Sequence, residues 1–276
     1  MKVPVILLNY NSSVDCLKCI SFLKQQQGVD LEIVLVDNCS QSDDLSALRR
    51  IAQQERCTLL ENKDNRGYNA GNNIGLRYAA RSGLEYALIA NPDMEFPQSD
   101  YIQKMVSAME QDEEIVVCGS DIINPDGSHL NPQREISYKE ELFWFIEILR
   151  NRKSKKWYLC DYTQSGYCKK VSGCSLLLRM DFIKSIGFFD ESVFLYSEES
   201  ILSKQVKQYG KKMYYLSNVQ AVHQHIESQK GASKPRMKIF FKSRNYYLRK
   251  YSGYNMLKLY LLLFSKYIQS LLYRLI

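Results

Sequence analysis

Residues 65–93 read NRGYNAGNNIGLRYAARSGLEYALIANPD. The stretch begins as a loop rich in glycine and asparagine that leads into a helix, and it continues into residues 86–90, an apolar run typical of a buried strand. That strand stops at Asn91-Pro92-Asp93. A ligand can approach the backbone of the glycine-rich loop closely. This loop therefore lies one α/β unit before Asp93, an acid at the carboxyl end of a strand. Because open α/β sheets bind ligands at this edge, the stretch predicts a ligand site.

Strands and helices alternate on both sides of this stretch. Helices are predicted between five strands, which lie near residues 3–8, 31–36, 58–61, 86–91 and 115–120. The strands are apolar along nearly their whole length, as expected when both faces of a sheet are covered. The alternation predicts an α/β fold with a Rossmann-like, mostly parallel central sheet flanked by helices.

The pattern loosens after residue 120. Residues 124–127 form a turn signal that predicts a hairpin, and residues 133–165 are rich in aromatic residues and lysine. We expect a mobile loop or a substrate-facing insertion in the latter segment, with Lys153–Lys156 exposed. A strand at 172–179 and helices at 180–186 and from Glu198 to Gly210 are predicted to follow.

The length of 276 residues suits one large α/β domain, or one domain with an appendage, and a hydrophobic content of 45% is enough for a substantial core. The apolar run at the start is too short for a signal peptide, which predicts a cytosolic protein. The eight cysteines are scattered, and the single C-x-x-C at Cys16 and Cys19 has no second pair. We therefore expect reduced, mostly buried thiols and no zinc site.

Positive charge is concentrated at the end of the chain. Residues 228–276 contain eleven Lys and Arg and no acid, whereas the other 227 residues contain 26 basic and 30 acidic side chains. Helical spacing places six apolar residues on one face of this tail: Leu257, Leu261, Phe264, Ile268, Leu272 and Leu275. Lys258 and Lys266 interrupt the apolar run, so too few consecutive apolar residues remain for a helix that spans a bilayer. Two interpretations stay open: a helix packed on the domain or in a dimer, and a helix lying on anionic lipid.

Polar residues near the glycine-rich loop are candidates for nucleotide binding. Asp37 ends the second strand, where a carboxylate can accept hydrogen bonds from a base or a ribose, although it could equally be a turn residue. Gly71 and Gly75 share one helical face, and each costs roughly 1 kcal/mol relative to alanine in a helix. Close approach of a ligand or of the neighbouring strand would explain them. The G-x-G-x-x-G dinucleotide fingerprint is absent from the sequence.

Asp93 and a histidine pair are candidates for a metal site. A carboxylate such as Asp93 can hold a divalent cation that neutralises a departing diphosphate, and Glu95 is a second candidate. His223 and His225 would share one side of a strand, and neutral imidazole is a common metal ligand. The alternatives are a simple turn at residues 91–93 and ordinary surface histidines.

Glu198 and Glu199 are candidates for a general base. They are adjacent at a predicted helix start, where acids are favoured by a few tenths of a kcal/mol for structural reasons alone. The preceding residues 187–196 are strongly aromatic. Such surroundings could shield a carboxylate and raise its pKa towards that of a working base.

These segments, in the same order and with similar spacing, resemble family 2 glycosyltransferases, and more narrowly the bacterial rhamnosyl- and galactosyltransferase-like members of polysaccharide assembly. The similarity covers residues 3–228 and is carried by residues 5–12, 36–40, 65–75, 91–93, 187–199 and His223. The resemblance implies a GT-A fold within residues 1–228, with a nucleotide-sugar-binding half at about 1–120 and an acceptor-binding half at about 121–228. Residues 229–276 would be a C-terminal basic amphipathic helical tail.

The resemblance also implies roles for individual residues. Asn9 and Asp37 would contact the nucleotide base; Asn65, Gly67 and Asn72 would line the nucleotide pocket; Asn91 would lie near the ribose. Asp93 and His223 would bind Mg²⁺ or Mn²⁺. Glu199, or alternatively Glu198, would be the base of a single inverting displacement. Two departures from the family pattern matter: Asn91 replaces the first acid of D-x-D, and Glu199 replaces the usual aspartate.

The resulting hypothesis is a metal-dependent inverting glycosyltransferase at the inner face of the cell membrane. It would use a UDP- or dTDP-sugar and elongate a lipid-linked or oligosaccharide acceptor for a bacterial capsule, exopolysaccharide or O-antigen. Homodimer formation is a further expectation, and nucleic acid is not an expected partner. A GT-A-like nucleotidyltransferase is the first alternative, although residues 9–13 lack its basic glycine-rich loop. A non-catalytic nucleotide-binding protein is the second.

Overall fold

The computed structural model describes residues 1–151, 158–224 and 233–275. In these ranges the strands are β1 Lys2–Asn9, β2 Asp30–Asp37, β3 Thr58–Glu61, β4 Tyr86–Ala90, β5 Met94–Glu95, β6 Ile115–Ile123, β7 Gly166–Cys168, β8 Ser175–Arg179 and β9 Lys212–His223. The helices are α1 Ser13–Leu23, α2 Ser42–Glu55, α3 Tyr68–Arg81, α4 Tyr101–Glu110, α5 Tyr138–Leu142, α6 Trp144–Asn151, α7 Met180–Ser185, α8 Glu198–Gln208, α9 Ser233–Lys250 and α10 Met256–Leu275.

The strands of the described ranges form one sheet in the order β3-β2-β1-β4-β8-β6-β9-β5, with β7 beside β9. Six of them, β1 to β4 together with β6 and β9, run in the same direction, so the prediction of a mostly parallel sheet is confirmed. The antiparallel strand β8 lies between β4 and β6, and its first residue, Ser175, pairs with Ala90 at the end of β4. The start of β8 therefore lies at the edge where β4 ends.

Apolar side chains cover both faces of the sheet. Along β1, Val5 and Leu7 pack in the cluster that includes α1, α2 and α4, whereas Ile6 packs in the opposite cluster with α3, α7 and α8. This alternation follows from the two-residue period of a strand. Helices therefore flank the sheet on both sides, as predicted.

The glycines of α3 allow this helix to approach β1 closely. A Cβ atom at Gly71 would lie 2.4 Å from Leu8 Cδ1, and one at Gly75 would lie 2.5 Å from Ile6 Cγ2. Leu8 and Ile6 are two residues apart on one face of β1, and the glycines are four apart on one face of α3. Of the two explanations for these glycines, the structure supports close approach of the neighbouring strand.

The C-terminal tail consists of two helices, and α10 has one packed side and one exposed side. A small cluster formed by Val193, Ile201, Tyr247, Leu248, Tyr251 and Leu262 joins α9 and α10 to the rest of the chain. On the outer side, Leu257, Leu261 and Phe264 are 71%, 45% and 63% exposed. The packed helix is thus observed, and the outward face is the one predicted from spacing. Among the described helices, none has both the length and the apolar content needed to cross a bilayer.

Several local expectations are corrected by the structure. The turn at residues 124–127 leads to an isolated bridge between Ile123 and His129, not to a full hairpin strand. The segment 133–165 contains α5 and α6, and Lys153–Lys156 lie outside the described residues. Strands β5 and β7, of two and three residues, were not predicted because so short a segment has no measurable periodicity.

Candidate functional site

Strands β5 and β9 bring Asp93 and His223 together. Met94 pairs with His223 in the antiparallel ladder, and the Gln224 amide donates to the Asp93 carbonyl at 2.9 Å. Asp93 Oδ2 lies 3.2 Å from His223 Nε2, with both side chains mostly buried. The other two candidate ligands are not seen in this pair. Glu95 pairs with Lys18, and His225 lies outside the described residues.

The Asp93–His223 pair has the donor chemistry of a partial cation site. One carboxylate oxygen and one imidazole nitrogen converge there. Both Mg²⁺ and Mn²⁺ accept the carboxylate, and the imidazole suits Mn²⁺ better than the harder Mg²⁺. In the described ranges, no group of three or more His, Cys, Asp or Glu side chains has the arrangement of a complete metal site. The pair therefore fits a cation whose remaining positions are filled by water and phosphate oxygens, as is usual for Mg²⁺.

Asn91 lies at the junction of three segments. The Tyr68 hydroxyl donates to the Asn91 side-chain oxygen at 3.2 Å and to the Gly173 carbonyl at 2.8 Å. The Asn91 amide in turn donates to the Cys174 carbonyl at 2.8 Å. These bonds connect the start of α3, the end of β4 and the residues before β8. Tyr68 was not among the predicted site residues, although it lies inside the glycine-rich loop.

Asn9 and Asp37 form a buried polar group at the ends of β1 and β2. Asn9 Nδ2 donates to Asp37 Oδ1 at 3.0 Å and to Asp44 Oδ2 at 2.8 Å, and Asp37 Oδ2 accepts from the Ser40 amide at 3.1 Å. Neither Asn9 nor Asp37 is accessible to solvent. Both side chains thus shape the loop that follows β2. Their direct contact with a nucleotide base stays a prediction.

The predicted pocket residues of the glycine-rich loop have local roles. Asn65 Oδ1 accepts from Asn38 Nδ2 and from the Gly67 amide, both at 3.0 Å. Gly67 has φ of +102°, and a Cβ there would lie 2.2 Å from the Phe194 carbonyl oxygen, so only glycine fits. Asn72 is buried; its amide donates to the Tyr68 carbonyl, and Oδ1 has no hydrogen-bond partner among the described residues.

Residues 188–197, which we call the aromatic loop, are held from two sides. From α3, Asn73 bonds both the carbonyl and the amide of Phe189, at 2.9 and 3.0 Å. From the opposite side, Tyr246 on α9 and Tyr251 just after it donate to Asp190 Oδ2 at 2.7 and 2.6 Å. The asparagines of residues 65–75 therefore act in part as anchors for the aromatic loop.

The aromatic loop ends in two consecutive left-handed residues. Tyr196 has φ of +73° and Ser197 has φ of +70°, a conformation that costs energy in any residue with a side chain. Helix α8 begins at the next residue, so this turn sets the direction of Glu198 and Glu199. Glu199 Oε1 accepts from the Gly173 amide at 3.3 Å. Glu198 Oε1 is buried without a hydrogen-bond partner in the described ranges.

Burial, together with the charge of Glu199, raises the pKa of Glu198 to about 8. Glu198 is therefore mainly protonated at neutral pH and cannot then accept a proton. Its protonated carboxyl can donate a hydrogen bond. The two adjacent acids thus differ in chemistry, and Glu199 Oε1 is oriented by the Gly173 amide.

A cavity of about 850 Å³ joins these groups. Asn91, Glu198, Glu199 and His223 line it together with Lys170, Arg244 and Lys266. Apolar and aromatic side chains from α6, α9 and α10 complete the wall: Trp144, Ile148, Phe240 and Tyr273. The two C-terminal helices are therefore part of the candidate site.

The three cations of the cavity were missed from sequence. Arg244 and Lys266 belong to the basic tail, where charge counting treats every cation as a surface group. One signal was available: Lys266 interrupts the apolar run of α10. Lys170 gave no signal, because its burial depends on packing between distant segments.

Comparison with known sequences gives one family and distant relatives. The profile of Glycosyl transferase family 2 matches residues 5–174. The low-salt glycan biosynthesis hexosyltransferase Agl10 of Haloferax volcanii is 25% identical over 244 residues, covering 88% of this chain and 74% of that protein. The uncharacterized glycosyltransferase YfnE of Bacillus subtilis is 32% identical over 120 residues, covering 43% of this chain and 30% of YfnE.

Solved structures share the fold. A mannosyltransferase from Pyrobaculum calidifontis, PcManGT in complex with GDP-Man and Mn²⁺, superposes with a TM-score of 0.60 at 18% identity, covering 96% of this chain and 68% of that one. GalNAc-T7 with UDP, GalNAc and Mn²⁺ gives 0.62 at 16% identity, covering 90% and 50%. At such identities the likeness concerns the arrangement of strands and helices.

Proposed function

This chain belongs to glycosyltransferase family 2 and has the GT-A fold, and from this we propose that it is an inverting, metal-dependent enzyme that moves a hexose from a UDP- or dTDP-sugar to a lipid-linked glycan. Such a transfer would serve a bacterial capsule, exopolysaccharide or O-antigen. The observation that carries the proposal is the cavity in which Glu199 faces the same space as Asn91 and His223.

The proposed chemistry is a single displacement. A hydroxyl oxygen of the acceptor forms a bond to the anomeric carbon while the bond from that carbon to the diphosphate oxygen breaks. Glu199 takes the hydroxyl proton, and the nucleoside diphosphate leaves with the electron pair. Protonated Glu198 would donate a hydrogen bond to the acceptor. The Gly173 amide, 3.3 Å from Glu199 Oε1, supports this assignment because it orients the carboxylate.

We assign the donor to residues 1–120 and the acceptor to residues 121–228 together with the tail, 229–276. Asn91 would lie near the ribose, and Asn65, Gly67 and Asn72 would shape the nucleotide pocket. Gly67 supports this because its conformation and its contact with the Phe194 carbonyl fix the course of the loop. Asn9 and Asp37 would hold the loop that faces the base. Of the nine strands described, β6 (Ile115–Ile123) crosses the boundary between the two halves, so they share one sheet.

Asp93 and His223 would hold Mg²⁺ or Mn²⁺. When bound, the cation would neutralise the negative charge that develops on the departing diphosphate. Replacement of the first D-x-D acid by Asn91 leaves one carboxylate, and His223 supplies the second protein ligand, as their 3.2 Å separation permits.

The acceptor side favours a lipid-linked glycan at the inner face of the cell membrane. The outer side of α10 exposes Leu257, Leu261 and Phe264, and α9 carries Lys238, Lys242 and Arg249 within roughly a quarter of its circumference. Exposed apolar groups and exposed cations are the two features that bind an anionic lipid surface. The alternative is that the outer side of α10 binds a second copy of the chain in a homodimer.

Glu199→Gln tests the proposed reaction. We expect transfer to fall about 10²- to 10⁴-fold, because the general base is lost, while nucleotide-sugar binding is retained. Transfer to a glycan acceptor would be scored with a panel of nucleotide-sugars, and binding by the shift in melting temperature. Glu110→Gln, an exposed change on α4, is the matched control. Unchanged transfer by the Glu199 variant would refute the assignment, and absence of transfer by the wild type would favour a non-catalytic nucleotide-binding protein.

A further inference from the structure

Three cations line the cavity close to the proposed base. Lys266 is 6% exposed, and the Arg244 side chain is 14% exposed. Lys170 is partly buried beside Gly173 and Glu199 in the cavity wall. Three cations in one partly apolar cavity are costly unless anions balance them.

Ion pairs among the described residues balance only part of this charge, although Glu199 lines the same cavity and attracts Lys170. Glu141 binds Arg244 through two hydrogen bonds of 2.6 and 2.5 Å and lies 3.7 Å from Lys266. One carboxylate therefore serves two cations. Lys170 forms no ion pair with any residue in the described ranges. Glu198, mainly protonated at neutral pH, adds little negative charge.

The pKa values of Lys170 and Lys266 agree with a site that is completed by a bound anion. Burial lowers the pKa of both Lys170 and Lys266, so the attraction of the surrounding carboxylates does not offset their loss of hydration. A purely structural role accounts for Arg244, which joins α9 to α5 through Glu141. It does not account for Lys170, or for a second cation beside Glu141.

The cavity also contains surfaces for a hydrocarbon chain. Trp144 and Ile148 from α6, Phe240 from α9 and Tyr273 from α10 line it together with the cations. The same helices expose apolar side chains outside the cavity, among them Phe145 on α6 and Phe264 on α10. A ligand with an anionic group next to a hydrocarbon chain would match both linings.

We propose that Lys170 and Lys266, with Arg244 as a third cation, bind the diphosphate that links the acceptor glycan to its lipid. This inference rests on the proposed function. The ammonium groups would contact the phosphate oxygens, and Trp144, Ile148 and Tyr273 would contact the first carbons of the lipid. Glu199 would then lie towards the sugar that receives the new residue.

Binding of farnesyl diphosphate to the full chain tests the site without requiring transfer. We expect Lys170→Gln and Lys266→Gln each to weaken binding at least tenfold, Lys170→Arg to retain most of it, and both glutamine variants to bind UDP as the wild type does. Lys169→Gln is the matched control, since its exposed side chain neighbours Lys170 in sequence. Because Lys170 has no ion pair to lose among the described residues, its variant stays informative even if the Lys266 variant is unstable.

Farnesol and inorganic diphosphate test whether the anion bound by the cations is a lipid-linked diphosphate. Farnesol should bind much more weakly than farnesyl diphosphate, and inorganic diphosphate should compete only at far higher concentration. Equal binding of inorganic and farnesyl diphosphate would overturn the lipid-linked source. Loss of UDP binding in the Lys170 variant would assign the cations to the donor instead. Unchanged farnesyl diphosphate binding in both glutamine variants would overturn the site, whatever the outcome for Glu199→Gln.

Discussion

Glu198 and Glu199 are neighbours in sequence but have different surroundings. Glu199 accepts a hydrogen bond from the Gly173 amide, whereas Glu198 Oε1 is buried without a hydrogen-bond partner in the described part of the chain. Two left-handed residues, Tyr196 and Ser197, directly precede the pair and set the direction in which α8 starts. Neither is a glycine or an asparagine, so no residue preference predicts the turn. The sequence therefore identified the acidic pair without separating the roles of its members.

The raised pKa of Glu198 predicts a pH-dependent stability. Its pKa rises from 4.5 to about 8 on folding, so between these values the folded state binds more protons than the unfolded state. The contribution of Glu198 to stability is therefore complete below about pH 4.5 and is lost as the pH rises through about 8, with a slope of at most about 1.4 kcal/mol per pH unit.

Denaturant unfolding at pH 6, 7 and 8 measures this effect. We expect Glu198→Gln to remove the slope, so that the variant gains stability relative to the wild type as the pH rises. Parallel pH profiles for the two proteins would contradict the burial of an ionisable Glu198 carboxyl.

Substitution of the single residue Asp93 tests the predicted metal site. We expect Asp93→Ala to weaken Mn²⁺-dependent binding of the nucleoside diphosphate roughly tenfold or more, since a carboxylate ligand is lost, and we expect excess EDTA to abolish transfer by the wild type. Calorimetry with and without Mn²⁺ measures the first effect. Glu95→Gln is the control, because Glu95 pairs with Lys18. Full transfer in EDTA would refute a metal requirement.

At the scale of elements, most of the sheet was predictable. Strands β1 to β4 have apolar runs bounded by polar turns, and their predicted limits lie within about one residue of the observed ones. Insertion of β8 between β4 and β6 was not predictable, because strand order depends on packing between distant segments. The meeting of Asp93 with His223 was expected only from the family resemblance, since it needs the two-residue strand β5.

The α3–β1 contact predicts an unusual response to alanine. Gly→Ala in a helix normally stabilises by about 1 kcal/mol. At Gly75 the new methyl group would overlap Ile6, which is fully buried; overpacking of this kind costs about 1–3 kcal/mol. We expect Gly75→Ala to lower the melting temperature by about 2–4 °C. Gly166→Ala, where a Cβ has open space, should be nearly neutral. A stabilised Gly75 variant would contradict the close approach.

At the scale of the whole molecule, α10 connects two surfaces. Its inner side contributes Leu262 to the small cluster and Lys266 to the cavity, and its outer side exposes Leu257 and Phe264. The two interpretations of the tail therefore concern different sides of one helix. Deleting the tail would disturb both sides, so substitutions on the outer side are needed to test lipid binding alone.

The double variant Leu257→Gln/Phe264→Gln tests the outer side. We expect roughly tenfold weaker binding to anionic vesicles, with little change in melting temperature, because both side chains are exposed. Binding should also weaken with added salt. Val14→Gln, an equally exposed apolar residue on α1, is the control. Unchanged vesicle binding, or a shift from dimer to monomer in sedimentation, would assign this face to a second copy of the chain.

The attachment of the tail has a consequence for how such enzymes diverge. In the described ranges, the side-chain hydrogen bonds of Asn9, Asp37 and Asn65 all join residues between 9 and 67. Helix α9 is connected to this part of the chain through the aromatic loop, which α9 and α3 hold from opposite sides. Mutations in the last 45 or so residues that keep the bonds to Asp190 and Leu195 can therefore accumulate without disturbing the first segment. Under the proposed division, with the donor on residues 1–120 and the acceptor on the rest of the chain, a lineage with this architecture would keep its sugar donor while its acceptor changes.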